Sequence, residues 1–304
     1  MSKSSLWRYL DPFKYGRFLE TLYLKRPITT LKPQLFIFGL PRSGTTLVYQ
    51  YIVHRLKVAY FTNGVGQYPH APICITYWQN HRYGEYQSDF QSNYGKVTGP
   101  LSPREAGGFW GRYFDMEAYS HFEDVTPAQK NSLQRTIAAI QKLYGDVAFV
   151  NKNVKHMLRL DALQKIFPNS LFLIVERDLC DVGLSVLHGR YQNLTDPTEW
   201  WSVRPPNYQQ LRNLPIPEQI AQQLFTLQQQ IEADLVHIHA SRIFRIHYQT
   251  FCQNPEHLIT QLYSALAYPH HRNPPATHFP LSHHQPQTDE ELHLVELLTE
   301  REQP

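Results

Sequence analysis

A short segment after an apolar run has the residue types of a phosphate-binding loop. It consists of Pro41, Arg42, Ser43, Gly44, Thr45 and Thr46. An apolar strand-like run precedes it and a helix-like pattern follows it. A glycine-bounded loop between a strand and a helix presents consecutive backbone N–H groups, and the helix dipole adds partial positive charge. We call residues 41–46 the first corner and predict that they cradle a phosphate.

The first corner differs from the loop of the nucleoside triphosphatases at one position. From Gly39 the pattern is G-x-x-x-x-G-T-T, and Thr45 stands where those enzymes need a lysine for the β- and γ-phosphates. The cation inside the loop is Arg42. This favours phosphate binding over ATP hydrolysis, and the alternative is a strand–turn–helix corner with no ligand.

A second strand-to-helix corner follows the most uniformly apolar run, residues 171–175. This second corner, residues 176–185, contains Arg177 and, eight residues later, Ser185. An arginine and a hydroxyl at the end of a strand suit a second phosphate. The alternative is that Arg177 forms an ordinary salt bridge with Glu176 or Asp178.

Strand-like and helix-like segments alternate along the chain and must position these corners. Strand-like segments at 35–38, 58–61, 147–150, 171–175 and 242–248 alternate with helical patterns such as 45–56, 126–144 and 217–239. This alternation predicts an α/β fold in which helices cover both faces of a central parallel sheet, a three-layer α/β/α arrangement of the P-loop type.

Three parts of the chain are predicted. Residues 1–33 form an amphipathic helical arm that packs on the domain, or alternatively touches a membrane surface. Residues 34–268 form the main domain, and residues 269–304 form a tail rich in His and Pro. The aromatic segment 62–102 lacks clear periodicity and is predicted to be irregular, either lining an acceptor pocket or packing as a surface layer.

Composition limits the possible partners. The 29 basic and 26 acidic residues nearly balance, so no nucleic-acid partner is expected. The three widely spaced cysteines suit neither a disulfide framework nor a zinc site. No signal-like or membrane-spanning run is evident, and we expect a cytoplasmic protein with no transmembrane segment. The histidines of the tail are interpreted as solvated, and no metal site is predicted.

Taken together, the two corners resemble those of the sulfotransferases that use 3′-phosphoadenosine 5′-phosphosulfate (PAPS). The resemblance covers about residues 34–268 and implies that the first corner holds the 5′-phosphate and sulfate. Arg177 and Ser185 would hold the 3′-phosphate. The resemblance extends to Lys152, which it implies as a catalytic cation, and to Tyr248, which it implies lies near the adenine. It therefore implies PAPS as cofactor, 3′,5′-adenosine bisphosphate as product, and a hydroxyl acceptor such as a glycan, phenol or lipid.

The general base must come from another position than in many cytosolic members of that family. Those members have a histidine two residues after the lysine, and here that residue is Val154. The resemblance to the protein-tyrosine and some carbohydrate sulfotransferases instead implies Glu105 as the base, with Arg42 and Lys152 stabilising developing charge. A capping box from Ser102 to Glu105 is the alternative explanation of that glutamate. His156 and His188 are further candidates.

Sulfuryl transfer moves a group with a single negative charge, so we expect no metal requirement. Two alternative functions stay open at this level: a nucleotide-binding module without chemistry, and a P-loop kinase that acts on a small molecule. The kinase is disfavoured because Thr45 replaces the lysine and no acid of the Walker-B kind follows a strand.

Overall fold

The fold is built on four parallel strands. A computed structural model describes residues 31–300 and, before them, residues 16, 18, 20–21 and 23–25. The strands are β1 (Gln34–Phe38), β2 (Phe149–Lys152), β3 (Leu171–Glu176) and β4 (Ile243–His247). Their spatial order is β2-β1-β3-β4, and every neighbouring pair is parallel. The predicted α/β fold with a central parallel sheet is confirmed.

Helices fill the connections between the strands. They are α1 (Thr45–Arg55), α2 (Asn63–Gln67), α3 (Pro72–Arg82), α4 (Gly107–Trp110), α5 (Pro127–Leu143), α6 (Leu160–Ile166), α7 (Leu179–Asn193), α8 (Tyr208–Leu211), α9 (Ile216–Leu235), α10 (Tyr248–Gln253), α11 (Pro255–Tyr263) and α12 (Asp289–Glu300). Short 3₁₀ helices span Phe122–Asp124, Val154–Leu158 and Ala240–Arg242.

Alternate residues of β1 enter different cores on the two faces of the sheet. Phe36 and Phe38 belong to one buried cluster, whereas Leu35 and Ile37 belong to the other. This alternation follows from the two-residue period of a strand. Both faces of the sheet are therefore covered, as expected for a parallel sheet.

Parallel pairing brings the carboxyl ends of all four strands to one edge of the sheet. Ile37 lies opposite Lys152, Phe38 opposite Ile174, and Glu176 opposite His247. Both predicted corners follow strands that end at this edge, because β1 leads into the first corner and β3 into the second. The register thus places all the candidate cofactor-binding residues on one side of the molecule.

The predicted strand at 58–61 is wrong. Its side chains are buried, but only Ala59 forms an isolated parallel bridge, with Phe149. The chain turns away at once, since Thr62 accepts a hydrogen bond from Val65 N at 3.3 Å and caps α2. Burial produced the apolar pattern here without a strand ladder.

The aromatic segment is more regular than predicted. Helices α2 and α3 lie within 62–102. The apolar periodicity of α3 is weak because Tyr77 and Trp78 stay 50% and 38% exposed. The sequence pattern was therefore hidden by aromatic residues that do not enter the core.

The C-terminal part contains a helix that the sequence interpretation lacked. Leu294 and Leu298 of α12 are buried against α7, where a Cβ on Gly183 would lie 2.5 Å from Leu298 Cδ1. Most of the predicted N-terminal arm lies outside the described residues. Within the described part of the chain, no helix combines the length and apolarity needed to cross a membrane.

Candidate active site

The first corner has the backbone shape of an anion-binding loop. Arg42 and Gly44 both adopt left-handed conformations, with φ of 69° and 92°. Ser43 N donates to Leu40 O at 3.1 Å, and α1 begins directly after Gly44. The N–H groups of Thr45 and Thr46 lie in the first turn of α1, where a helix offers no internal acceptor. They are available to bind a phosphate oxygen.

Glycine is required at position 44 for a second reason. A Cβ built there would lie 2.2 Å from Cδ2 and Cε2 of Tyr248. The predicted nucleotide-contacting tyrosine therefore packs on the first corner itself. Among the residues that the structure describes, none is a hydrogen-bond partner of the buried Ser43 Oγ, so the corner also has an unused polar group.

The fold brings the two corners into direct contact. Arg42 Nε donates to Ser185 Oγ at 3.0 Å, across 143 residues of sequence. Arg177 Nη1 is 3.4 Å from Arg42 O, and its guanidinium lies 5.0 Å from the Tyr248 ring centroid. Burial lowers the pKa of Arg42, and the nearby charge of Arg177 also lowers it. Two adjacent guanidinium groups can together bind an anion.

The salt bridges proposed as the alternative role of Arg177 do not form. Glu176 instead accepts from Arg245 at 2.5 Å, and Asp178 accepts from Asp181 N at 2.9 Å, which caps α7. The one carboxylate near Arg177 in the described chain is that of Asp181, at 3.6 Å. This separation is longer than a hydrogen bond and leaves donor capacity on the guanidinium.

Residues 282–284 cover the second corner and are not wholly solvated. Arg177 donates to the carbonyl of Ser282 and lies 3.3 Å from its Oγ. His283 Nδ1 and His284 N each lie 3.0 Å from the Asp181 carboxylate. The tail thus contacts the predicted nucleotide site, which the sequence pattern did not indicate.

Tyr94 covers the first corner from the aromatic segment. Its ring lies 4.7 Å from the Arg42 guanidinium, and its hydroxyl donates to Gln192 on α7. The next residue, Gly95, lies close to Thr46 and Lys152, since a Cβ there would be 3.5 Å and 3.9 Å from their side-chain ends. Sequence reasoning missed this role. The positive φ of Tyr94 and Gly95 shows a tight turn that places the ring over the loop.

The two remaining catalytic candidates, Glu105 and Lys152, form an ion pair beside the first corner. Lys152 Nζ donates to Glu105 Oε1 and, at 3.1 Å, to Thr46 Oγ1. The lysine side chain is 4% exposed, whereas that of Glu105 is 33% exposed. The carboxylate can therefore meet a substrate from solvent while the buried ammonium contacts the loop.

The capping-box explanation of Glu105 is wrong. No helix starts at Pro103; the next helix is α4, preceded by Ala106 with a φ of 53°. Ser102 Oγ instead donates to the carbonyl of Thr98. Glu105 consequently has no helix-capping role.

Two asparagines at the end of β2, Asn151 within the strand and Asn153 just after it, hold the backbone that carries Glu105. Asn151 Nδ2 donates to Arg104 O and Asn153 Nδ2 to Glu105 O, both at 3.2 Å. Asn151 Oδ1 accepts from Trp110 Nε1 at 2.9 Å. The motif Asn-Lys-Asn at the end of β2 could have indicated this role, because short amides commonly bind neighbouring backbone groups.

The two histidine candidates are each held by another side chain. His156 is fully buried, with Nε2 2.9 Å from Asn151 Oδ1. Burial, helped by the charges of Arg159 and Lys152, holds the pKa of His156 well below its ordinary value. His188 Nε2 lies 2.5 Å from Glu291 on α12. Both geometries favour structural roles.

One further cluster has metal-ligand residue types. His121, Glu123 and Asp161 place their ligand atoms within 4.8 Å of one another. Lys165 Nζ lies 2.8 Å from Asp161 and 3.5 Å from Glu123, so an ammonium already neutralises these acids. The cluster is best explained as a surface ion-pair group.

The comparisons with known proteins agree with this geometry. The sequence model of the Sulfotransferase family matches residues 33–272. No curated protein sequence matches the chain significantly.

Among solved structures, the sulfotransferase STF1 of Mycobacterium tuberculosis H37Rv is similar with a TM-score of 0.54 and 14% identity, covering 95% of this chain and 75% of that one. The sulfotransferase STF9 of Mycobacterium avium is similar with a TM-score of 0.52 and 14% identity, and the match covers 98% of this chain and 74% of STF9. At 14% sequence identity, the similarity to these two structures shows the fold alone.

Proposed function

The chain belongs to the Sulfotransferase family, and we propose that it transfers a sulfuryl group from PAPS to an acceptor hydroxyl. The observation that supports this most strongly is the contact between the two corners, Arg42 Nε to Ser185 Oγ at 3.0 Å. PAPS carries phosphate at two separate positions of one nucleotide. A protein that binds it needs two anion sites side by side, and the contact between the two corners supports such an arrangement.

The residues present fit this cofactor. The first corner offers the N–H groups of Thr45 and Thr46 and the unpartnered Ser43 Oγ for the 5′ end. Arg177 and Ser185 would hold the 3′-phosphate, and Tyr248 would lie against the base. When bound, PAPS supplies an activated sulfuryl group on its 5′-phosphate.

Glu105 is the proposed general base. Its Oε1 accepts a hydrogen bond from Lys152 Nζ, which also donates to Thr46 Oγ1, so the carboxylate is held beside the first corner. Glu105 then takes the proton from the acceptor hydroxyl as its oxygen bonds to sulfur.

Lys152 and Arg42 are proposed to stabilise the negative charge that develops during transfer. Both are held by the fold before any ligand binds, Lys152 by Thr46 and Arg42 by Ser185. Preorganised donors of this kind need no reorganisation during the reaction. They would supply the positive charge that a metal ion supplies in phosphoryl transfer.

Incubation with PAPS labelled in its sulfate tests the proposal. A panel of glycans, phenols and lipids should give at least one labelled product, and 3′,5′-adenosine bisphosphate should raise the melting temperature more than ATP with Mg²⁺. Phosphate transfer from ATP, with no labelled product from PAPS, would contradict the proposal and favour a kinase.

A further inference from the structure

A cavity next to the Glu105 segment has the size of a small-molecule site. Its volume is about 630 Å³, within the range of roughly 300–1,000 Å³ typical of ligand pockets. It lies between α2, α3 and the chain at 99–104. The side chains that matter for its chemistry are Asn63, Tyr68, Ile75, Trp78, Tyr83 and Arg104.

One wall of the cavity is aromatic and open to solvent. Trp78 and Tyr83 are 38% and 37% exposed, and their rings meet edge to face at 5.7 Å. Ile75 extends the same wall from α3. Exposed rings held in a fixed arrangement favour a ligand with a flat or apolar ring face.

The cavity is also positively charged. Arg104 is the cation among its lining residues, and none of those residues is Asp or Glu. In the described chain, its guanidinium has one long contact, Nη1 to Asn63 Oδ1 at 3.5 Å, and no carboxylate partner. Its remaining donors face water, and a guanidinium binds carboxylate or sulfate oxygens through two parallel hydrogen bonds.

The side chain of Arg104 is placed by a glycine. A Cβ on Gly66 would lie 2.9 Å from Arg104 Cγ and 3.3 Å from its Nε. Gly66 lies within α2, so the stem of the arginine crosses the helix where a side chain is missing. The position of the guanidinium in the cavity therefore depends on Gly66.

The cavity and the proposed base share one backbone support. Arg104 immediately precedes Glu105, and the carbonyls of the two residues are held by Asn151 and Asn153. A ligand that binds Arg104 is thus positioned relative to Glu105 by the end of β2. The proposed binding group for the acceptor, Arg104, is therefore the residue that directly precedes the proposed base in the chain.

Building on the proposed function, we propose that this cavity binds the acceptor and that Arg104 selects acceptors carrying an anionic group on or near a ring. The aromatic wall receives the ring, and the arginine receives the carboxylate or sulfate. The site therefore prefers an acidic substrate over its neutral analogue.

Two matched probes test the proposal: 4-nitrophenyl β-D-glucuronide and 4-nitrophenyl β-D-glucoside. They share both rings and differ in one carboxylate. Calorimetry with the full chain saturated with 3′,5′-adenosine bisphosphate should show at least about tenfold tighter binding of the glucuronide, which corresponds to one charge-assisted contact.

Variants separate the role of Arg104 from a general charge effect. Arg104→Gln should reduce the preference for the glucuronide over the glucoside to near onefold. Gly66→Ala should reduce the preference by displacing the arginine. Gly84→Ala should not, because no atom of the described part of the chain lies within 4 Å of a Cβ at Gly84. Arg212→Gln, an exposed arginine outside the cavity, should also preserve it.

Equal affinity for the two probes, failure to bind either, or a preference retained in Arg104→Gln would overturn the inference. These results are distinguishable from failure of the proposed function. A protein that binds the bisphosphate and sulfates some acceptor, without preferring the glucuronide, refutes only the role of Arg104. A protein that does not bind the bisphosphate refutes the proposed function.

Discussion

The two ends of the candidate active site are built differently. The nucleotide end, formed by the first corner, the second corner and Tyr248, is buried and held by contacts between distant parts of the chain, such as Arg42 with Ser185. The acceptor end, formed by the cavity around Trp78, Tyr83 and Arg104, is exposed and has few internal contacts. A shared cofactor demands fixed geometry, whereas an open cavity can change its acceptor by changing a few side chains.

Glu105 pairs with Lys152 beside the first corner and directly follows Arg104 in the chain, and its replacement should have the largest effect. Glu105→Gln keeps the shape of the side chain but removes its basicity. We expect kcat to fall by roughly 10²–10⁴-fold with little change in bisphosphate affinity or melting temperature.

The control is Glu123→Gln, an exposed glutamate whose nearest ammonium is 3.5 Å away, which should leave kcat unchanged. Steady-state kinetics with an identified acceptor provides the measurement. A near-normal kcat in Glu105→Gln would show that the proton goes elsewhere and that the two ends are not joined by this residue.

A substitution at Gly44 should damage the nucleotide end alone. Gly44→Ala places a Cβ at a φ of 92° and against the Tyr248 ring. The left-handed conformation alone costs about 1–2 kcal/mol for a residue with a side chain. We expect a lower melting temperature and weaker bisphosphate binding, with glycoside binding in the cavity retained.

Gly84→Ala is the matched control because its position is open. Differential scanning calorimetry and titration with each ligand measure both ends in the same samples. If Gly44→Ala binds the bisphosphate normally, the loop is not as constrained as its geometry indicates.

Raising the pH should loosen the acceptor end. Glu20 accepts from Ile73 N at 3.1 Å and Cys74 N at 3.2 Å, at the start of α3, which carries Ile75 and Trp78. Burial raises the pKa of Glu20 from its ordinary value of 4.5 to about 7. The folded state therefore binds the proton of the Glu20 carboxyl more tightly than the unfolded state does. The stabilisation that the protonated carboxyl gives the folded state is complete below its ordinary pKa and is lost as the pH rises through about 7.

Hydrogen exchange of the α3 amides should accordingly speed up between about pH 5 and about pH 8, beyond the intrinsic base dependence. The Glu20→Gln side chain can still accept a hydrogen bond from Ile73 N. In this variant, the part of the rise in exchange rate that exceeds the intrinsic base dependence should disappear. An identical excess in the variant would assign the pH effect to another group.

Chelation of metal ions should not change the turnover rate. If Arg42 and Lys152 supply the positive charge for transfer, turnover in EDTA should match turnover without it. Complete loss of activity that Mg²⁺ restores would instead indicate metal-assisted phosphoryl chemistry.

The two corners could be predicted from the sequence as strand-to-helix turns because their signals are local. A strand, a glycine and a helix start at Gly44 leave a recognisable pattern, and the eight-residue interval from Arg177 to Ser185 leaves another. Contacts between residues far apart in the sequence could not be predicted from such local patterns. Tyr94 over Arg42, Ser282 on Arg177 and the asparagine supports of Glu105 depend on how loops cross the sheet edge.

The acceptor end and parts of the fold were harder to predict for a physical reason. Residues 58–61 are buried like a strand but pair only at Ala59, and α3 exposes the aromatic residues that a core helix would hide. Apolar patterns report burial, and here burial and regular structure do not coincide. The cavity next to Arg104 arises from packing between α2 and α3, which no short motif encodes.

The most direct test of the account is the affinity of the intact protein for two nucleotides that differ in one phosphate. Calorimetry should show that 3′,5′-adenosine bisphosphate binds tighter than 5′-AMP by about 2–4 kcal/mol, the contribution of a charge-assisted site at Arg177. In Arg177→Ala most of this difference should vanish, and in Ser185→Ala a smaller part. Equal binding of the two nucleotides by the unmodified protein would contradict the claim that the two corners form one cofactor site.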